Sequence, residues 1–480
     1  MERPSLSIII TGQNNVKNIE TQLSEVKKLN CLEIIMLLND YNDETRKIAD
    51  RRGVQVLRFG SAVVSHKMRG FGAKRAKGNV LLFLDTAFVS GFADLNPLVC
   101  VVRDKKADLA VSGFSSTPRP GTFNFETVEF IHNIVANRRD LNCSSLYYAP
   151  FVISREALMI IGMDSLVVPP LAKLIAIRKG LIIEAFLSTT INNDNVNTIN
   201  FGNDLLLEES LQSLSYWLNR NGERSGYTNL GRRLDILKDQ NDGGRAFHLG
   251  VTAIIAASNE EDTIGSVIRN ALNSGATQVV VVENGSTDNT AKVAKRAGAQ
   301  VVSFPYRIGH DVGRAVGALN YPSSYYLFLD GDMVISSKDL KPFITAVTEG
   351  GVDVALNDLS SLINHKSWDE VTWSKYFLNQ VLKRKDLNVN TLTAVPHAIS
   401  GRAMELIGPE NLAIPTVAMV KAVVAGLNVK AVKEVDVITK NKLRNELHRS
   451  DMGNLTEQLI VGDMCQGIHE LILHKYGRVK

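Results

Sequence analysis

Few cysteines and no long hydrophobic run characterise this sequence of 480 residues. The four cysteines, Cys31, Cys100, Cys143 and Cys465, form no C-x-x-C pair, which argues against a disulfide framework or a zinc site. No apolar segment approaches the roughly 20 residues that a membrane-spanning helix needs, and the first residues lack the hydrophobic region of a signal peptide. We therefore expect reduced thiols and a soluble, cytoplasmic protein that could still contact a membrane surface peripherally.

An excess of either charge is also absent. Lys and Arg total 54 against 50 Asp and Glu, which gives a formal net charge of +4. This near balance, and the lack of a basic stripe with interleaved aromatic residues, argue against a nucleic-acid partner. Hydrophobic residues make up 45% of the chain, as in globular proteins, and the length fits two domains better than one.

The chain does contain an internal repeat. A shift of 245 positions, the difference between 330 and 85, places FLD at 83–85 on FLD at 328–330. Farther along, the shift becomes 246 and places Pro150 on Pro396. A common shift held over this length is hard to obtain by chance, so the repeat predicts two homologous copies of one unit.

The repeat also predicts the domain boundaries. Residues 1–224 form the first copy and residues 250–480 the second, with a polar linker at 225–249. Each copy alternates short apolar strands with amphipathic helices, which predicts two tandem Rossmann-like α/β domains, each with a mostly parallel sheet and flanking helices. In such sheets, ligands bind beyond the carboxyl ends of the strands.

The sequence Asp330-Gly331-Asp332 follows the apolar strand YYLFL in the second copy. Two carboxylates separated by a glycine at a strand end can face one point, and hard oxygen ligands suit Mg²⁺ or Mn²⁺ on a diphosphate. For an isolated D-x-D, an acidic turn that caps the next helix is the favoured interpretation. The end of a central strand is the position at which a metal site is expected.

Four blocks of the second copy together resemble the family 2 glycosyltransferases with the GT-A fold. These blocks are VTAIIAASNEEDTIGSVIRNAL, VVVVENGSTDNTAKVA, GHDVGRAVGA and LFLDGDMVI, and the resemblance covers most of residues 250–440. It implies two tandem GT-A domains, a UDP- or GDP-linked sugar donor, and transfer of a hexose to a glycan or small-molecule acceptor, such as a cell-envelope glycan or glycoconjugate. It also implies a divalent cation, Mn²⁺ or Mg²⁺.

The resemblance assigns roles to individual residues of the second copy. The residues expected to bind the nucleotide-sugar are Ala256, Ser258, Glu260, Asn284, Arg314 and Asp330. The expected metal ligands are Asp332, Asp330 and His448, and His397 is expected to face the acceptor. His448 could instead be a surface histidine, and His397 could instead pack in the core.

A carboxylate that inverting relatives carry is missing, because Pro415 and Thr416 stand where it is expected. Direct displacement needs a base to take the acceptor proton. With Asp332 and Asp330, we name Glu410 as a catalytic candidate, in the role of that base. The stereochemistry of transfer stays open.

The first copy has Asp85-Thr86-Ala87 at the position of the acidic pair, and Ala87 cannot bind a cation. We therefore expect residues 1–224 to be a degenerate, catalytically silent copy that binds acceptor, holds an oligomer or buries surface of the second domain. Two alternatives remain for the whole chain. One is a sugar nucleotidyltransferase, against which the lack of glycine in AASNEED at 256–262 argues. The other is a non-catalytic scaffold that binds nucleotide-sugars.

Overall fold

Two seven-stranded sheets form the cores of two units, Met1–Arg220 and Asn221–Lys480. The structure is a computed structural model. It describes residues 5–39, 42–60, 63–113, 117–187, 202–242, 246–363, 367–437 and 454–477.

The sheet of the first unit has the strand order β3-β2-β1-β4-β6-β5-β7. Its strands are β1 Leu6–Gln13, β2 Glu33–Asn39, β3 Gln55–Phe59, β4 Val80–Asp85, β5 Leu109–Gly113, β6 Phe151–Ser154 and β7 Ile183–Leu187. Its helices are Val16–Val26, Asp43–Arg52, Ser65–Arg75, Phe92–Arg103, Phe125–Val135, Arg155–Ile161, Pro169–Arg178 and Asn203–Asn221, with 3₁₀ turns at Lys27–Leu29, Arg139–Leu141 and Met163–Val167.

The sheet of the second unit has the corresponding order β10-β9-β8-β11-β13-β12-β14. Its strands are β8 His248–Ala257, β9 Gln278–Asn284, β10 Gln300–Phe304, β11 Ser323–Asp330, β12 Val354–Asn357, β13 His397–Ser400 and β14 Val429–Lys433. Its helices are Ile264–Ser274, Thr290–Arg296, Val312–Asn320, Ser337–Thr348, Ser360–Ile363, Glu370–Val381, Gly401–Ile407, Pro415–Val424 and Leu455–Tyr476, with 3₁₀ helices at Leu234–Asp242, Lys385–Leu387 and Pro409–Ala413.

Both sheets agree with the predicted Rossmann-like α/β class, but they are mixed and only loosely parallel. In each sheet four of the six strand pairings are parallel, and one strand, β6 or β13, runs antiparallel to both of its neighbours. That strand follows a helix and a cis X-Pro bond in each unit, Ala149–Pro150 or Val395–Pro396. The two units therefore share one topology, as the internal repeat predicts.

Local sequence explains where these elements begin and pack. The central strands are runs of Ile, Val and Leu with both faces buried, as a sheet covered by helices on both sides requires. Several helices start at a polar residue whose side chain accepts a hydrogen bond from the first turn. In the second unit these caps are Ser336, Asp369, Ser400 and Asn454.

The segment predicted as a linker packs in part on the second unit. The backbone N–H of Arg233 donates to Ile308 O (2.9 Å), and Arg232 is 5% exposed. β8 begins at His248, one residue before the predicted end of the linker at position 249. Among the described residues, no helix combines the length and apolar character needed to span a bilayer.

Candidate functional site

A cavity of about 510 Å³ opens at the carboxyl ends of β8, β9 and β11 in the second unit. Its position is the one expected for ligands of an α/β sheet. The sequence-predicted residues that line it are Ala256, Ser258, Glu260, Asn284, Arg314, Asp330 and Asp332. Side chains that are up to 76 positions apart in sequence therefore meet at one edge of the sheet.

The Asp330-Gly331-Asp332 turn lies directly on the end of the neighbouring strand. The N–H of Gly331 donates to Ala256 O (2.8 Å). A Cβ at Gly331 would lie 2.8 Å from Ala257 Cβ, so a side chain at this position would push the turn away. Glycine thus lets the two carboxylates follow the strand closely and reach the cavity.

Arg314 is buried between two carboxylates on the helix Val312–Asn320. Its Nη1 lies 2.7 Å from Asp311 Oδ1, and its Nη2 donates to Asp330 Oδ1 (3.0 Å). Burial by itself lowers the pKa of Arg314, but the charges of Asp330 and Asp311 more than offset it and raise the pKa. Arg314 therefore stays charged and holds Asp330 in a fixed orientation.

The ion-pair network extends away from the cavity through Arg232. Arg232 Nη2 donates to Asp311 Oδ2 (2.9 Å), and its Nη1 donates to Asp463 Oδ1 (2.6 Å) on the carboxyl-terminal helix. Arg224 Nη1 also donates to Asp463 Oδ1 (2.7 Å). The side chains of Arg232, Asp311 and Asp463 are at most 3% exposed, so each buried charge has a partner.

Arg232 also shapes the glycine loop that precedes the helix Val312–Asn320. Gly309 has a φ of +102°, and a Cβ there would lie 2.7 Å from Arg232 Cα. Arg232 Nε donates to His310 O (2.9 Å). The glycine loop that lines the cavity thus packs against Arg232, a residue of the segment predicted as a linker.

Asn284 and Glu260 line the part of the cavity predicted to bind the nucleoside. The Asn284 amide accepts from Ile308 N (2.6 Å) and donates to Gly309 O (3.2 Å), so both of its polar groups hold the glycine loop. The N–H of Glu260 donates to Thr290 Oγ1 (2.7 Å). Contacts of Asn284 and Glu260 with a nucleotide stay predictions.

The described residues contain no cluster of three or more His, Cys, Asp and Glu side chains arranged to hold a metal. Asp330 and Asp332 remain as a pair of hard oxygen ligands, and the third predicted ligand, His448, lies outside the described residues. Mg²⁺ is commonly held by one or two carboxylates together with substrate phosphates and water. The donor set therefore fits Mg²⁺ or Mn²⁺ when a diphosphate is present.

The structure does not bring His397 or Glu410 into the lining of the cavity. His397 is 1% exposed, stacks on Phe328 with centroids 5.0 Å apart, and shares a hydrogen bond between Nδ1 and Ala394 O (2.9 Å). Burial, followed by the positive charge of Arg314, lowers its pKa to about 3. Glu410 is exposed and accepts from Asn411 Nδ2 (3.1 Å).

The wall opposite the strand ends is formed by residues that the sequence did not single out. These are mainly on the helix Glu370–Val381, the segment 389–395 and the start of the carboxyl-terminal helix. They include Trp368, Asp369, Thr372, Lys375, Thr393 and Glu457. Comparing the two copies position by position would have drawn attention to Lys375, which stands where the first copy has Glu129.

The corresponding part of the first unit is filled with aromatic side chains. Tyr148 packs against Phe125 at 4.0 Å and against Phe88 at 5.9 Å, measured between ring centroids. At a shift of 245 or 246, these three rings stand where Ala394, Val371 and Met333 line the cavity of the second unit. The first unit therefore has aromatic rings at three positions that line the cavity of the second unit, and it has Ala87 at the position of Asp332.

Comparisons with known proteins place the second unit in a sequence family. Residues 252–404 match the model described as glycosyl transferase family 2. Over 107 residues the chain is 30% identical to protein RfbJ of Shigella flexneri, an alignment that covers 22% of this chain and 82% of RfbJ. Over 95 residues it is 36% identical to glycosyltransferase AglJ of Haloferax volcanii, which covers 19% of this chain and 30% of AglJ.

The extent of these matches is partial. The chain spans about half or less of the length of several curated relatives, AglJ included. Among solved structures, glucosyl-3-phosphoglycerate synthase from Mycobacterium tuberculosis, in complex with Mn²⁺, uridine diphosphate and glucosyl-3-phosphoglycerate, is similar at 18% identity and a TM-score of 0.34. That alignment covers 45% of this chain and 80% of the synthase.

Proposed function

The chain belongs to glycosyl transferase family 2, and we propose that its second unit transfers a sugar from a nucleotide-linked donor to an acceptor with the help of a divalent cation. One observation carries the proposal. Asp330 and Asp332 line the same cavity as the end of β8, the glycine loop and Arg314. A nucleotide diphosphate needs this combination of a metal-binding carboxylate, a nearby fixed cation and the amino terminus of a helix.

The donor would span the strand ends. In this proposal the nucleoside lies over Ala256, Ser258 and Glu260, and the diphosphate lies toward Arg314 and the amino terminus of the helix Val312–Asn320. The helix N–H groups and the glycine loop favour an anion there. The donor is a UDP- or GDP-linked hexose.

The two aspartates would have different tasks. Asp330 is bound by Arg314, which supports a role in orientation and in contacts with the ribose. Asp332 would be the direct ligand of Mn²⁺ or Mg²⁺, and the cation would neutralise charge on the leaving diphosphate. His448 stays a proposed further ligand, because it lies outside the described residues.

The acceptor would approach from the opposite wall of the cavity. A base for an inverting transfer has to reach the acceptor hydroxyl, and Glu410 lies outside the cavity lining. The carboxylates on the opposite wall are Asp369 and Glu457. We therefore propose one of this pair, in place of Glu410, as the candidate base. His397, which is buried against Phe328, would not touch the acceptor.

We further propose that the first unit holds no donor. Ala87 replaces the carboxylate of Asp332, and Tyr148 with Phe125 fills the space that Ala394 and Val371 leave open. The first unit would then have no catalytic activity of its own.

The substitution Asp332→Ala tests the proposal directly. We expect donor-dependent transfer to fall by roughly a thousandfold, because stabilisation of a leaving group by a metal is worth several kcal/mol. Asp386→Ala is the matched control, since Asp386 is 61% exposed and bonds to Arg384 away from the cavity. The measurement is sugar release and transfer from UDP- and GDP-hexoses with Mn²⁺. Wild-type rates for Asp332→Ala in excess chelator would refute the assignment.

A further inference from the structure

Lys375, on the opposite wall of the cavity, forms no ion pair with any residue that the structure describes. It is half-buried, and among the described residues no side-chain or backbone acceptor lies within hydrogen-bond or ion-pair distance of its Nζ. Burial lowers the pKa of Lys375, and only the charge of Asp369 acts in the other direction. A cation withdrawn from water without a close ion pair is unfavourable, so the placement of Lys375 needs an explanation.

The first unit offers a position-by-position comparison. Helix Phe125–Val135 occupies the same place in its unit as helix Glu370–Val381. One shared hydrogen bond fixes the register between them: Asn133 Nδ2 donates to Asn142 O (2.8 Å), and Asn379 Nδ2 donates to Asn388 O (2.9 Å). One turn earlier in each helix, four positions before the asparagine, the residues are Glu129 and Lys375. The charge is therefore reversed between the two units.

Glu129 is neutralised inside its own unit. It forms an ion pair with Lys173, whose side chain and its own are 0% exposed, and it accepts from Ser145 Oγ (3.0 Å). A shift of 246 places Lys173 on Met419, which is also buried. In the second unit, a lysine thus stands at the position of Glu129, and an uncharged methionine stands at the position of Lys173. The first unit therefore has a buried ion pair at this position, whereas the second unit has Lys375, which lines the cavity.

Lys375 lies on the helix Glu370–Val381, whereas Arg314, next to the region proposed for the donor diphosphate, lies on the helix Val312–Asn320. Arg314, the other buried cation of the cavity, is influenced by Asp311, Asp330 and Asp332. Arg314 forms ion pairs with Asp311 and Asp330, whereas Lys375 forms none within the described part of the chain.

Two threonine hydroxyls line the same cavity as Lys375. Thr372 is three positions before Lys375 on the same helix and so lies on the same face, and both line the cavity. Thr393 also lines it, and its Oγ1 accepts from Thr391 Oγ1 (3.0 Å). Ammonium and hydroxyl donors together form a set that suits a phosphate or carboxylate.

We propose that Lys375 binds an acidic group, a phosphate or a carboxylate, of the acceptor, and that the enzyme selects acceptors that carry one. This inference rests on the proposed function, because the ligand of Lys375 is an acceptor only if the second unit transfers a sugar. The shared chemistry is an anionic oxygen group, which a soluble phosphorylated or carboxylated metabolite and a lipid-linked phosphate both supply.

The first experiment uses binding and does not depend on turnover. The full chain, saturated with UDP and Mg²⁺, is titrated with inorganic phosphate by calorimetry, in the wild type and in Lys375→Met, Lys375→Arg and Lys385→Met. Lys385 is an exposed lysine outside the cavity lining and serves as the control. We expect Lys375→Met to weaken phosphate binding by about tenfold or more, because hydrogen bonds to charged groups contribute that much. Lys375→Arg and Lys385→Met should retain it.

The outcomes separate the two proposals. Unchanged affinity for UDP–Mg²⁺ in Lys375→Met shows that the variant is folded and that Lys375 serves another ligand. Absence of phosphate binding by the wild type, or equal binding by Lys375→Met, overturns the role of Lys375. Failure of the wild type to bind UDP–Mg²⁺ contradicts the proposed function instead, and phosphate titrated without UDP then tests Lys375 alone.

The second experiment identifies the source of the acidic group. Transfer is measured to glycerol and glycerol phosphate, to glucose and glucose 6-phosphate, and to a polyprenyl phosphate in detergent micelles. We expect transfer to acidic members only, with an acceptor KM about tenfold higher in Lys375→Met and an unchanged donor KM. Transfer to glycerol phosphate or glucose 6-phosphate indicates a soluble acceptor, and transfer to the polyprenyl phosphate indicates a lipid acceptor. Equal use of glycerol and glycerol phosphate overturns the proposal.

Discussion

Arg232 Nη2 lies 2.9 Å from Asp311 Oδ2, across 79 positions of sequence. Arg232 precedes the region 252–404 that matches the family model, and Asp311 lies within it. Through Asp463, the same guanidinium also reaches the carboxyl-terminal helix, which follows that region. The glycine loop of the proposed donor site therefore depends on residues from both sides of the family domain.

Replacing Arg232 should damage both stability and activity. Arg232→Met leaves Asp311 and Asp463 without this partner, and breaking a buried ion pair from one side costs about 3–5 kcal/mol. We expect the free energy of unfolding, measured in urea, to fall by that amount and donor binding to fall with it. The neighbouring Arg233→Met is the control. Arg233 pairs with Asp235 at the surface with 45% of its side chain exposed, so its replacement should leave the free energy of unfolding nearly unchanged.

Equal stability of the two arginine variants would contradict this account of the network. A second variant sharpens the result. Without Arg232, Asp311 and Asp463 still contact Arg314 and Arg224, but the buried network carries one excess negative charge. Asp463→Asn removes that excess, so the double variant should be more stable than Arg232→Met alone.

Gly331 and Ala257 should be energetically coupled. A Cβ at Gly331 would lie 2.8 Å from Ala257 Cβ, and the first unit has the reverse arrangement, with Gly12 beside Thr86. We expect Gly331→Ala to cost about 1–3 kcal/mol through overpacking. Ala257→Gly should recover part of that cost in the double variant, with a coupling energy of about 0.5 kcal/mol or more in a double-mutant cycle. Purely additive effects would show that the close approach does not limit the turn.

Restoring the acidic sequence of the first unit should not restore a donor site. In an Asp332→Ala background, Thr86→Gly with Ala87→Asp recreates the Asp-Gly-Asp sequence after β4. Tyr148 and Phe125, whose ring centroids are 4.0 Å apart, still fill the space. We expect calorimetry to detect no Mn²⁺-dependent UDP binding. Metal-dependent binding by this variant would mean that the aromatic side chains do not block the first unit.

His397 should make the second unit less stable in acid. Its pKa in the folded state, about 3, lies below the unfolded value of about 6.5, so the neutral ring stabilises the fold fully above pH 6.5 and progressively less below it. His397→Phe copies Phe151, which stacks on Phe83 in the first unit, and cannot take up a proton. Between pH 7.5 and pH 5 we expect the variant to lose about 2 kcal/mol less of its free energy of unfolding than the wild type.

The measurement is urea unfolding at both pH values, followed by tryptophan fluorescence. His474→Gln, at an exposed histidine of the carboxyl-terminal helix, should keep the pH dependence of the wild type. Identical pH dependence in His397→Phe and wild type would mean that His397 is already charged, or accessible to solvent, in the folded protein.

Strand ends and turns were predictable from sequence because they depend on neighbours along the chain. The apolar runs located β8 and β11, and the polar residues after them line one cavity as expected. The repeat predicted a shared topology, which the two strand orders display. Glycine in the D-G-D turn was visible as well, although its close approach to Ala257 was not.

Partners from distant segments were not predictable in this way. Arg232 lies in a polar stretch without periodicity, and nothing in that stretch points to Asp463, 231 positions away. His397 lies on β13, which runs antiparallel to its neighbours and pairs with Phe328. That pairing puts its ring in the core instead of the cavity lining, and only the packing of the sheet decides between the two.

The central claim is that Asp332 and a divalent cation anchor a nucleotide diphosphate in the cavity of the second unit. A crystal structure of the full chain with UDP and Mn²⁺, in which anomalous scattering locates the metal, tests it most directly. We predict Mn²⁺ bound to Asp332 and to the diphosphate, with the nucleoside over Ala256 and Ser258. A nucleotide bound elsewhere, with Asp330 and Asp332 making no contact with metal or phosphate, would contradict the account.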